Sequence, residues 1–305
     1  MREHHFHWVD VFTDRAFGGN QLAVFTDGQG VPPELMQQLA KEFNFSEITF
    51  VLPPKNPDND FWVRIFTPAA EMDMAGHPTV GTAFVLAREG LIDTSGDETR
   101  IVFEEGVGDI PVAVQWEDGA PTTIWMTQPL PQFGPYYPDR AAIADMLSLE
   151  ASDIAADLPL EVVSCGVPLL FVPLKDLRAI RNLKFRQDVW KRTLKGSDAE
   201  LVFVFTQETE REGSTVHSRM FAPSLNIPED PATGAASGPL GCYLVRHGLV
   251  GPDGAQSIVS EQGFEMGRPS IIHIQIDHAG EAITGVRIGG QTVYVGQGTI
   301  QLAEI

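Results

Sequence analysis

The chain contains an internal repeat at about half its length, and this feature limits its possible folds more than any other. The matched segments occur in the same order in both halves: 19–24 with 166–171, 46–51 with 199–204, 64–68 with 219–223, 76 with 234, 86–92 with 244–250, and 104–106 with 261–263. Solenoid repeats have much shorter periods, of about 20–50 residues. The repeat therefore predicts two similar halves that form a pseudo-twofold pair of domains.

Each half centres on one helix without a polar face. The segment after Gly76 is apolar around most of its circumference until Arg88-Glu89-Gly90 ends it, and the second half repeats this arrangement between Gly234 and His247. Such a helix must be buried on nearly all sides, and the strands around it are the elements that can cover it. We therefore predict an α+β fold of two pseudo-symmetric domains, each a curled, mostly antiparallel sheet wrapped around a central helix.

Short runs of β-branched and aromatic residues, separated by turn residues, predict the strands of the first half and of the C-terminus. These strands cover residues 9–12, 23–26, 47–52, 61–66, 101–103, 112–115, 123–126, 285–288, 292–295 and 299–302. An amphipathic helix is predicted over residues 32–43. The first domain is predicted to span residues 1–125, completed by C-terminal strands within 285–305, and the second to span 126–284.

Composition and charge argue against several classes of protein. The formal net charge of −20 repels nucleic acid and anionic membrane surfaces. The two cysteines, Cys165 and Cys242, stand in unrelated contexts, which favours a reducing compartment over a disulfide framework. His4, His5 and His7 alternate on a predicted strand and point to different faces, which argues against a metal site. We expect a cytoplasmic protein with no nucleic-acid partner and no membrane partner.

Glycine-containing turns begin both predicted central helices. Pro78 fits the first turn of a helix, where no amide donor is needed, and Gly76 lets the backbone approach a ligand closely. The turn at residues 230–237 offers the same feature in the second half. Free amides and the macrodipole at a helix start favour a carboxylate or phosphate group. We expect the two helix starts to bind a small anionic substrate in a cleft between the domains; the alternative is that both turns only begin buried helices.

Three titratable residues are candidates for acid/base chemistry. Glu47 opens an apolar strand, His77 stands between a glycine and a proline, and Asp230 precedes a proline. A carboxyl group, a histidine and a second carboxylate can abstract and return a proton without a metal or a cofactor. Two of them also have a structural alternative: Glu47 can face water, and Asp230 can be a turn or cap residue.

Four ordered motifs carry a family resemblance that runs along essentially the whole chain. They are Asp10-Val11-Phe12 with Phe17-Gly18-Gly19-Asn20, Phe45-Ser46-Glu47-Ile48-Thr49-Phe50-Val51, Gly76-His77-Pro78-Thr79-Val80-Gly81, and Asp230-Pro231-Ala232-Thr233-Gly234. These motifs resemble those of the phenazine-biosynthesis PhzF-like isomerases. The resemblance implies the diaminopimelate-epimerase-like fold and a homodimer.

The resemblance also implies a role for particular positions. In the phenazine member the residue matching Glu47 acts as acid/base in a proton shift within a dihydro-hydroxyanthranilate, and the positions matching His77 and Asp230 flank the reacting group. The implied substrate-binding positions are Asn20, Ser46, Gly76, Thr79, Gly234, Ala235 and Ala236. The implied function is a cofactor-independent isomerase that moves a proton within a small carboxylate substrate.

Two departures from the family pattern leave the substrate open. Gln21 stands where a proline is usual, and Ala235 stands where a serine is common, which removes one hydrogen bond to a substrate. Relatives with this fold use two cysteines, and the helix-start turns contain none, so thiol racemisation is not expected. The alternatives are an epimerase or racemase that uses Glu47 and Asp230, and a non-catalytic ligand-binding protein. Glu200, the repeat partner of Glu47, is expected to be structural.

Overall fold

The computed structural model describes residues 2–94, 96–280 and 282–302. The chain divides into two compact units. The first comprises Met1–Thr127 together with Gly289–Ile305, and the second comprises Gln128–Ile288. The C-terminal segment thus belongs to the unit that contains the N-terminus.

The first unit contains eight complete strands and two helices among its described residues. They are β1 (Arg2–Val11), β2 (Asn20–Phe25), α1 (Pro33–Phe43), β3 (Glu47–Leu52), β4 (Phe61–Phe66), β5 (Glu71–Met72), α2 (Gly76–Arg88), β6 (Glu98–Glu105), β7 (Gly108–Glu117) and β8 (Ala120–Thr127). Pro33 starts α1 at a position where proline is tolerated, and Asn44 ends it in the left-handed conformation at φ 53°.

The second unit contains eight complete strands and four α-helices among its described residues. They are β9 (Gln132–Tyr136), α3 (Arg140–Leu147), β10 (Glu161–Ser164), β11 (Pro168–Pro173), α4 (Leu177–Asn182), α5 (Gln187–Thr193), β12 (Val202–Thr206), β13 (Val216–Ala222), β14 (Ile227–Asp230), α6 (Gly234–Arg246), β15 (Ile258–Gln262) and β16 (Ser270–Ala279). Asp139 and Asp176 begin α3 and α4 as N-caps, because each carboxylate accepts a backbone N–H of the first turn. No helix in the described part of the chain is long and apolar enough to cross a membrane.

The last strand, β17 (Ala282–Leu302), closes the sheet of the first unit. β17 pairs with β8, and it also pairs with β1, to which it runs antiparallel. From β1 the order continues through β2, β3, β4, β6 and β7 to β8, with parallel pairs only at β2–β3 and β4–β6. Because the pairings form a ring, these strands have no open edge and enclose the space that α2 fills.

The helix α2 is the core of the first unit. It contacts β1, β2, β3, β7 and β8, and residues 76–87 are all buried. Gly81 lets the strands approach, because a Cβ there would lie 2.6 Å from Leu22 Cδ2 and 2.7 Å from Val11 Cγ2. The absence of a polar face in this segment therefore follows from contact with strands on nearly every side.

The second unit repeats the pairing directions of the first. In the first unit the pairs β2–β3 and β4–β6 are parallel, and the pairs β3–β4 and β6–β7 are antiparallel. In the second unit the corresponding pairs β11–β12 and β13–β15 are parallel, and β12–β13 and β15–β16 are antiparallel. Its central helix, α6, packs against β10 and β16 and buries Gly234 and residues 236–244. The recurrence supports the internal repeat, while the pseudo-symmetry of the two halves stays a prediction.

The structure corrects two of the predicted strand assignments. The three short C-terminal strands are one continuous strand, β17. Glycines inside β17 leave room for aromatic rings of neighbouring strands. A Cβ at Gly289 would lie 2.6 Å from the Trp125 ring, and a Cβ at Gly298 would lie 2.6 Å from the Phe6 ring. The first strand begins at Arg2 and not at Val9, because pairing with β17 stabilises a segment that is rich in histidine.

Candidate active site

Three of the predicted site residues lie together in the first unit. Asn20 and Glu47 are the first residues of β2 and β3, parallel neighbours whose register pairs Leu22 with Glu47. His77 is the second residue of α2, which contacts both strands. The parallel pairing therefore brings the two strand starts to the turn from which the central helix begins.

His77 lies between Asn20 and Glu47. Its Nδ1 is 3.1 Å from Asn20 Nδ2, and its Nε2 is 3.4 Å from Glu47 Oε2. The side chains of His77 and Glu47 are only 3% and 10% exposed. Burial lowers the pKa of His77 to about 3, and a hydrogen bond with the backbone of Gln21 opposes this shift only in part. His77 is thus neutral at physiological pH and presents one donor and one acceptor, but no positive charge, beside the carboxyl group.

The start of α2 has the features of an anion-binding turn. Ala75 is its N-cap in an extended conformation and provides no side-chain cap, and the first turn contains no acidic residue. The N–H groups of this turn and the positive end of the helix dipole are therefore suited to a carboxylate. Gly76, predicted as a binding residue, is the first residue of this turn, and Ser46 is half-buried directly before Glu47.

In the second unit, Asp230 ends β14 and is hydrogen-bonded to the turn before α6. Its Oδ2 accepts a hydrogen bond of 2.6 Å from Thr233 Oγ1, and the residue is 5% exposed. Gln262 of β15 supports the same turn: its Nε2 donates to Asp230 O at 2.7 Å and to Thr233 Oγ1 at 2.9 Å, and its Oε1 accepts from Thr233 N at 3.0 Å. These bonds fix the backbone from which the Asp230 carboxylate projects.

The other predicted binding residues of the second unit open α6. Gly234 and Ala235 are its first two residues, and Gly234 O accepts a hydrogen bond of 3.0 Å from Gln128 Nε2. Ala235 is half-buried, whereas Ala236 is fully buried. A ligand at this turn would therefore meet the backbone and the Ala235 methyl group rather than the side chain of Ala236.

Thr79, another predicted binding residue, has its hydroxyl engaged within the first unit. Thr79 Oγ1 lies 2.6 Å from Ala75 O and 2.5 Å from Oε1 of Glu105, at the end of β6. Burial raises the pKa of Glu105 to about 8, and hydrogen bonds with Thr79 and the Ala75 backbone oppose the shift. The sequence prediction did not include Glu105 or Gln262, although both stand second in the repeated motifs at residues 104–106 and 261–263.

Neither Glu200 nor the two cysteines resemble an acid/base pair. Glu200 Oε2 accepts a hydrogen bond of 3.0 Å from Gly196 N, in a turn before β12. Cys165 and Cys242 both belong to the second unit and are fully buried. A hydrogen bond with Cys242, together with burial, raises the pKa of the Cys165 thiol, so that a reactive thiolate is not favoured.

A second histidine–carboxylate cluster lies in the second unit. His217 Nδ1 is 2.8 Å from Glu261 Oε1, and its Nε2 is 3.0 Å from Glu265 Oε1. Side-chain atoms of Glu210, His217 and Glu265 that could bind a metal ion lie within 4.8 Å of one another. The exposed carboxylate of Glu210 also pairs with Arg181 at 2.8 Å. Although burial lowers it, the pKa of His217 is raised to about 9 by these two glutamates, which indicates an imidazolium held by ion pairs.

The comparison of the chain with protein-family models identifies its family. The model described as phenazine biosynthesis-like protein matches residues 9–298. The chain belongs to this family. The resemblance that the four motifs predict is therefore confirmed over nearly the whole chain.

Several relatives of the chain are isomerases by name. An uncharacterized isomerase of Mesorhizobium japonicum is 36% identical over 305 residues, covering 98% of this chain and 99% of the relative. The trans-2,3-dihydro-3-hydroxyanthranilate isomerase of Pseudomonas fluorescens is 34% identical over 300 residues, covering 98% of this chain and 100% of the relative. The predicted enzyme class, isomerase, is confirmed.

Solved structures place the fold in the same group. A phenazine biosynthesis protein of the PhzF family from Bacillus anthracis superposes with a TM-score of 0.87 at 28% identity, covering 99% of this chain and 100% of that chain. A probable proline racemase from Agrobacterium radiobacter has a TM-score of 0.68 at 13% identity, covering 98% and 93%. The second likeness concerns the fold alone, and it confirms an epimerase-like, mixed and sheet-dominated architecture with few helices.

Proposed function

We propose that the chain catalyses a cofactor-independent proton shift within a small carboxylate substrate, with Glu47 as the general acid/base. In this reaction the Glu47 carboxylate removes a proton from carbon, and the electron pair of the C–H bond moves into an adjacent unsaturated system. The protonated Glu47 then returns the proton to a different carbon of that system, which restores the carboxylate. No electrons are gained or lost overall, so the reaction needs no oxidant or reductant.

The contact between Glu47 and a neutral His77 carries this proposal. A histidinium at 3.4 Å would form an ion pair with the carboxylate and reduce its basicity. Because the pKa of His77 is lowered to about 3, the ring can instead hydrogen-bond either protonation state of Glu47 as the proton is taken and returned. Asn20, 3.1 Å from Nδ1, fixes the orientation of the ring.

The helix starts supply the expected binding groups. The turn at Gly76 has no acidic residue and no side-chain cap, which suits the carboxylate of a substrate. We assign further binding roles to Ser46, Gly234 and Ala235, and a second acidic role to Asp230, whose carboxylate Thr233 orients. The homodimer implied by the resemblance stays a prediction, which light scattering of the purified chain would test.

Solvent-deuterium uptake tests the proposed reaction. A panel of small carboxylates, including a dihydro-hydroxyanthranilate, is incubated in D2O with wild type and with Glu47→Gln, and incorporation is followed by NMR. We expect Glu47→Gln to lower the exchange rate at least about a hundredfold, since general acid/base groups contribute about 10²–10⁴-fold. The amide keeps the size of the side chain but cannot accept and return a proton.

Glu200→Gln is the matched control, because Glu200 occupies the repeat position of Glu47 and its carboxylate accepts a turn amide. This variant should retain the wild-type exchange rate. An equal loss in both variants would contradict the assignment of Glu47. Loss of optical activity at an α-carbon would instead indicate an epimerase. Panel members that raise the melting temperature without any exchange would indicate a ligand-binding protein.

A further inference from the structure

The hydroxyl group of Thr79 has two acceptors but a single proton. Its Oγ1 lies 2.6 Å from Ala75 O and 2.5 Å from Glu105 Oε1. A carbonyl oxygen can only accept, and an ionised carboxylate can only accept. A single hydroxyl proton can be shared between two acceptors only in a weaker three-centre bond, whereas both contacts are full hydrogen bonds if Glu105 carries a proton and donates it to Thr79 Oγ1 while Thr79 donates to Ala75.

The second unit has a related arrangement whose side chain cannot ionise, although Gln262 contacts Thr233 and not Ser237, the repeat partner of Thr79. There Ser237 Oγ donates to Thr233 O at 2.9 Å, as Thr79 donates to Ala75 four residues earlier. Gln262, the repeat partner of Glu105, uses its Nε2 amide to donate to the turn. A protonated carboxyl group and a carboxamide have the same shape and each offers a donor and an acceptor, so neutral Glu105 matches Gln262 in hydrogen bonding.

The surroundings of Glu105 favour the neutral form. The residue is 6% exposed, and burial raises its pKa to about 8 against the opposing hydrogen bonds. By chain position and strand register, the titratable and charged groups near it include His77 on α2, Asp73 before α2, Glu104 on β6, Asp109 on β7 and Arg64 on β4. His77 is neutral, and Glu104 is kept ionised because hydrogen bonds from the Lys55 and Asn56 amides lower its pKa. Neither changes charge between pH 5 and 8.

We propose that Glu105 is a protonated positioning residue that supports the first turn of α2 through Thr79, and that its ionisation at alkaline pH releases the turn that presents His77. The catalytic consequence rests on the proposed function, whereas the protonation of Glu105 does not. Ionisation would leave Thr79 with one proton to share between the Ala75 carbonyl and a buried carboxylate, which weakens the two contacts together.

The stability of wild type and Glu105→Gln as a function of pH tests the protonation without any substrate. The raised pKa means that the stabilising effect of the proton is complete below about pH 4.5 and is lost as the pH rises to about 8. Across this window the unfolding equilibrium constant of wild type should rise relative to that of Glu105→Gln by about tenfold per pH unit. A constant ratio from pH 5 to 8 would overturn the proposal.

Glu104→Gln is the matched control, because Glu104 is the neighbouring carboxylate and accepts backbone amides in its ionised form. Its stability difference from wild type should stay constant between pH 5 and 8. If Glu105→Gln does not fold, infrared spectra of wild type decide: we expect the carbonyl stretch of a protonated, buried carboxylic acid at pH 7 and its loss at pH 10. The absence of that band at pH 7 would overturn the proposal.

Deuterium exchange then tests the positioning role. Wild-type exchange should fall as the pH rises through about 8, Glu105→Gln should keep its rate at pH 9, and Glu105→Leu should lose activity at every pH. Restoration by Gln and not by Leu separates a hydrogen-bonding role from packing. If wild type exchanges no substrate at all, the proposed function fails, but the stability and infrared results still decide whether Glu105 is protonated.

Discussion

Replacing His217 with glutamine should destabilise the second unit at neutral pH and much less at pH 10. His217 is fully buried, and its two ring nitrogens lie 2.8 Å and 3.0 Å from carboxylate oxygens of Glu261 and Glu265. These contacts raise its pKa from 6.5 to about 9. At about 1.4 kcal/mol per pKa unit, this rise corresponds to about 3 kcal/mol of stability supplied by the charged ring.

The raised pKa of His217 sets the pH range of the effect. A folded-state pKa above the unfolded value gives a stabilisation that is complete below pH 6.5 and is lost as the pH rises through about 9. Burial acts to raise the pKa values of Glu261 and Glu265, but hydrogen bonds, including those with His217, lower them overall, so their contribution is lost only as the pH falls into the acid range. The cluster should therefore be most stabilising between these limits.

Urea unfolding of wild type and His217→Gln at pH 6, 7, 8, 9 and 10 would measure this contribution. The difference in the free energy of unfolding should shrink by about 3 kcal/mol between pH 6 and 10. The loss of the Glu105 proton affects both proteins and cancels in the difference. His5→Gln is the control, because His5 is exposed on β1, outside the cluster, and this substitution should have little effect on stability.

A difference between wild type and His217→Gln that stays constant from pH 6 to 10 would refute the ion-pair interpretation. The same cluster allows a second check, since His217, Glu265 and Glu210 have the ligand types of a zinc site. If the imidazolium is the native state, zinc added to chelator-treated protein should not raise the melting temperature at pH 7. An increase that depends on His217 would show that a metal replaces the proton.

Two further predictions concern the core and the ring of His77. Gly81→Ala should destabilise the protein by about 1–2 kcal/mol in urea unfolding, because the new methyl group would lie 2.6–2.7 Å from Leu22 and Val11. Gly251→Ala is the control and should have little effect, because Gly251 has open space around it. Equal stability of the two variants would contradict the packing of α2. Asn20→Asp should raise the pKa of His77 above its value of about 3, because a carboxylate would replace the amide 3.1 Å from Nδ1. ¹⁵N NMR of the His77 ring across pH would detect the change. An unaltered titration would show that Asn20 does not contact the ring.

The sequence was most informative where local patterns decide the structure. The start of α2 at Gly76 follows from the Gly-His-Pro sequence, and its central position follows from an apolar circumference that no amphipathic surface helix would have. The start of α6 at Gly234 follows in the same way. The helices α3, α4 and α5 were not predicted, because they are short and their cores are assembled by contacts distant in sequence.

The contacts of the candidate site depend on strand pairing and could not be derived from local patterns. Glu47 and His77 are brought to 3.4 Å by the parallel register of β2 and β3 and by the position of α2 inside the ring. The role of Glu105 depends on a hydrogen bond to Thr79 that links the end of β6 to α2. The repeated motif marked this position, but a sequence cannot show that the hydroxyl beside it has two acceptors.

The two units share hydrogen-bonding positions but differ in the groups that can exchange protons. The first unit has Glu47, His77 and Glu105 at positions where the second has Glu200, Ala235 and Gln262. Alanine and glutamine cannot take part in proton transfer, and the second glutamate bonds a turn amide. One acid/base group returns a proton to the face of the substrate from which it removed it, whereas inversion of a carbon needs groups on opposite faces. At the repeat positions the second unit offers no partner base for inversion, so racemisation would require Asp230, the acidic group before α6, to act with Glu47.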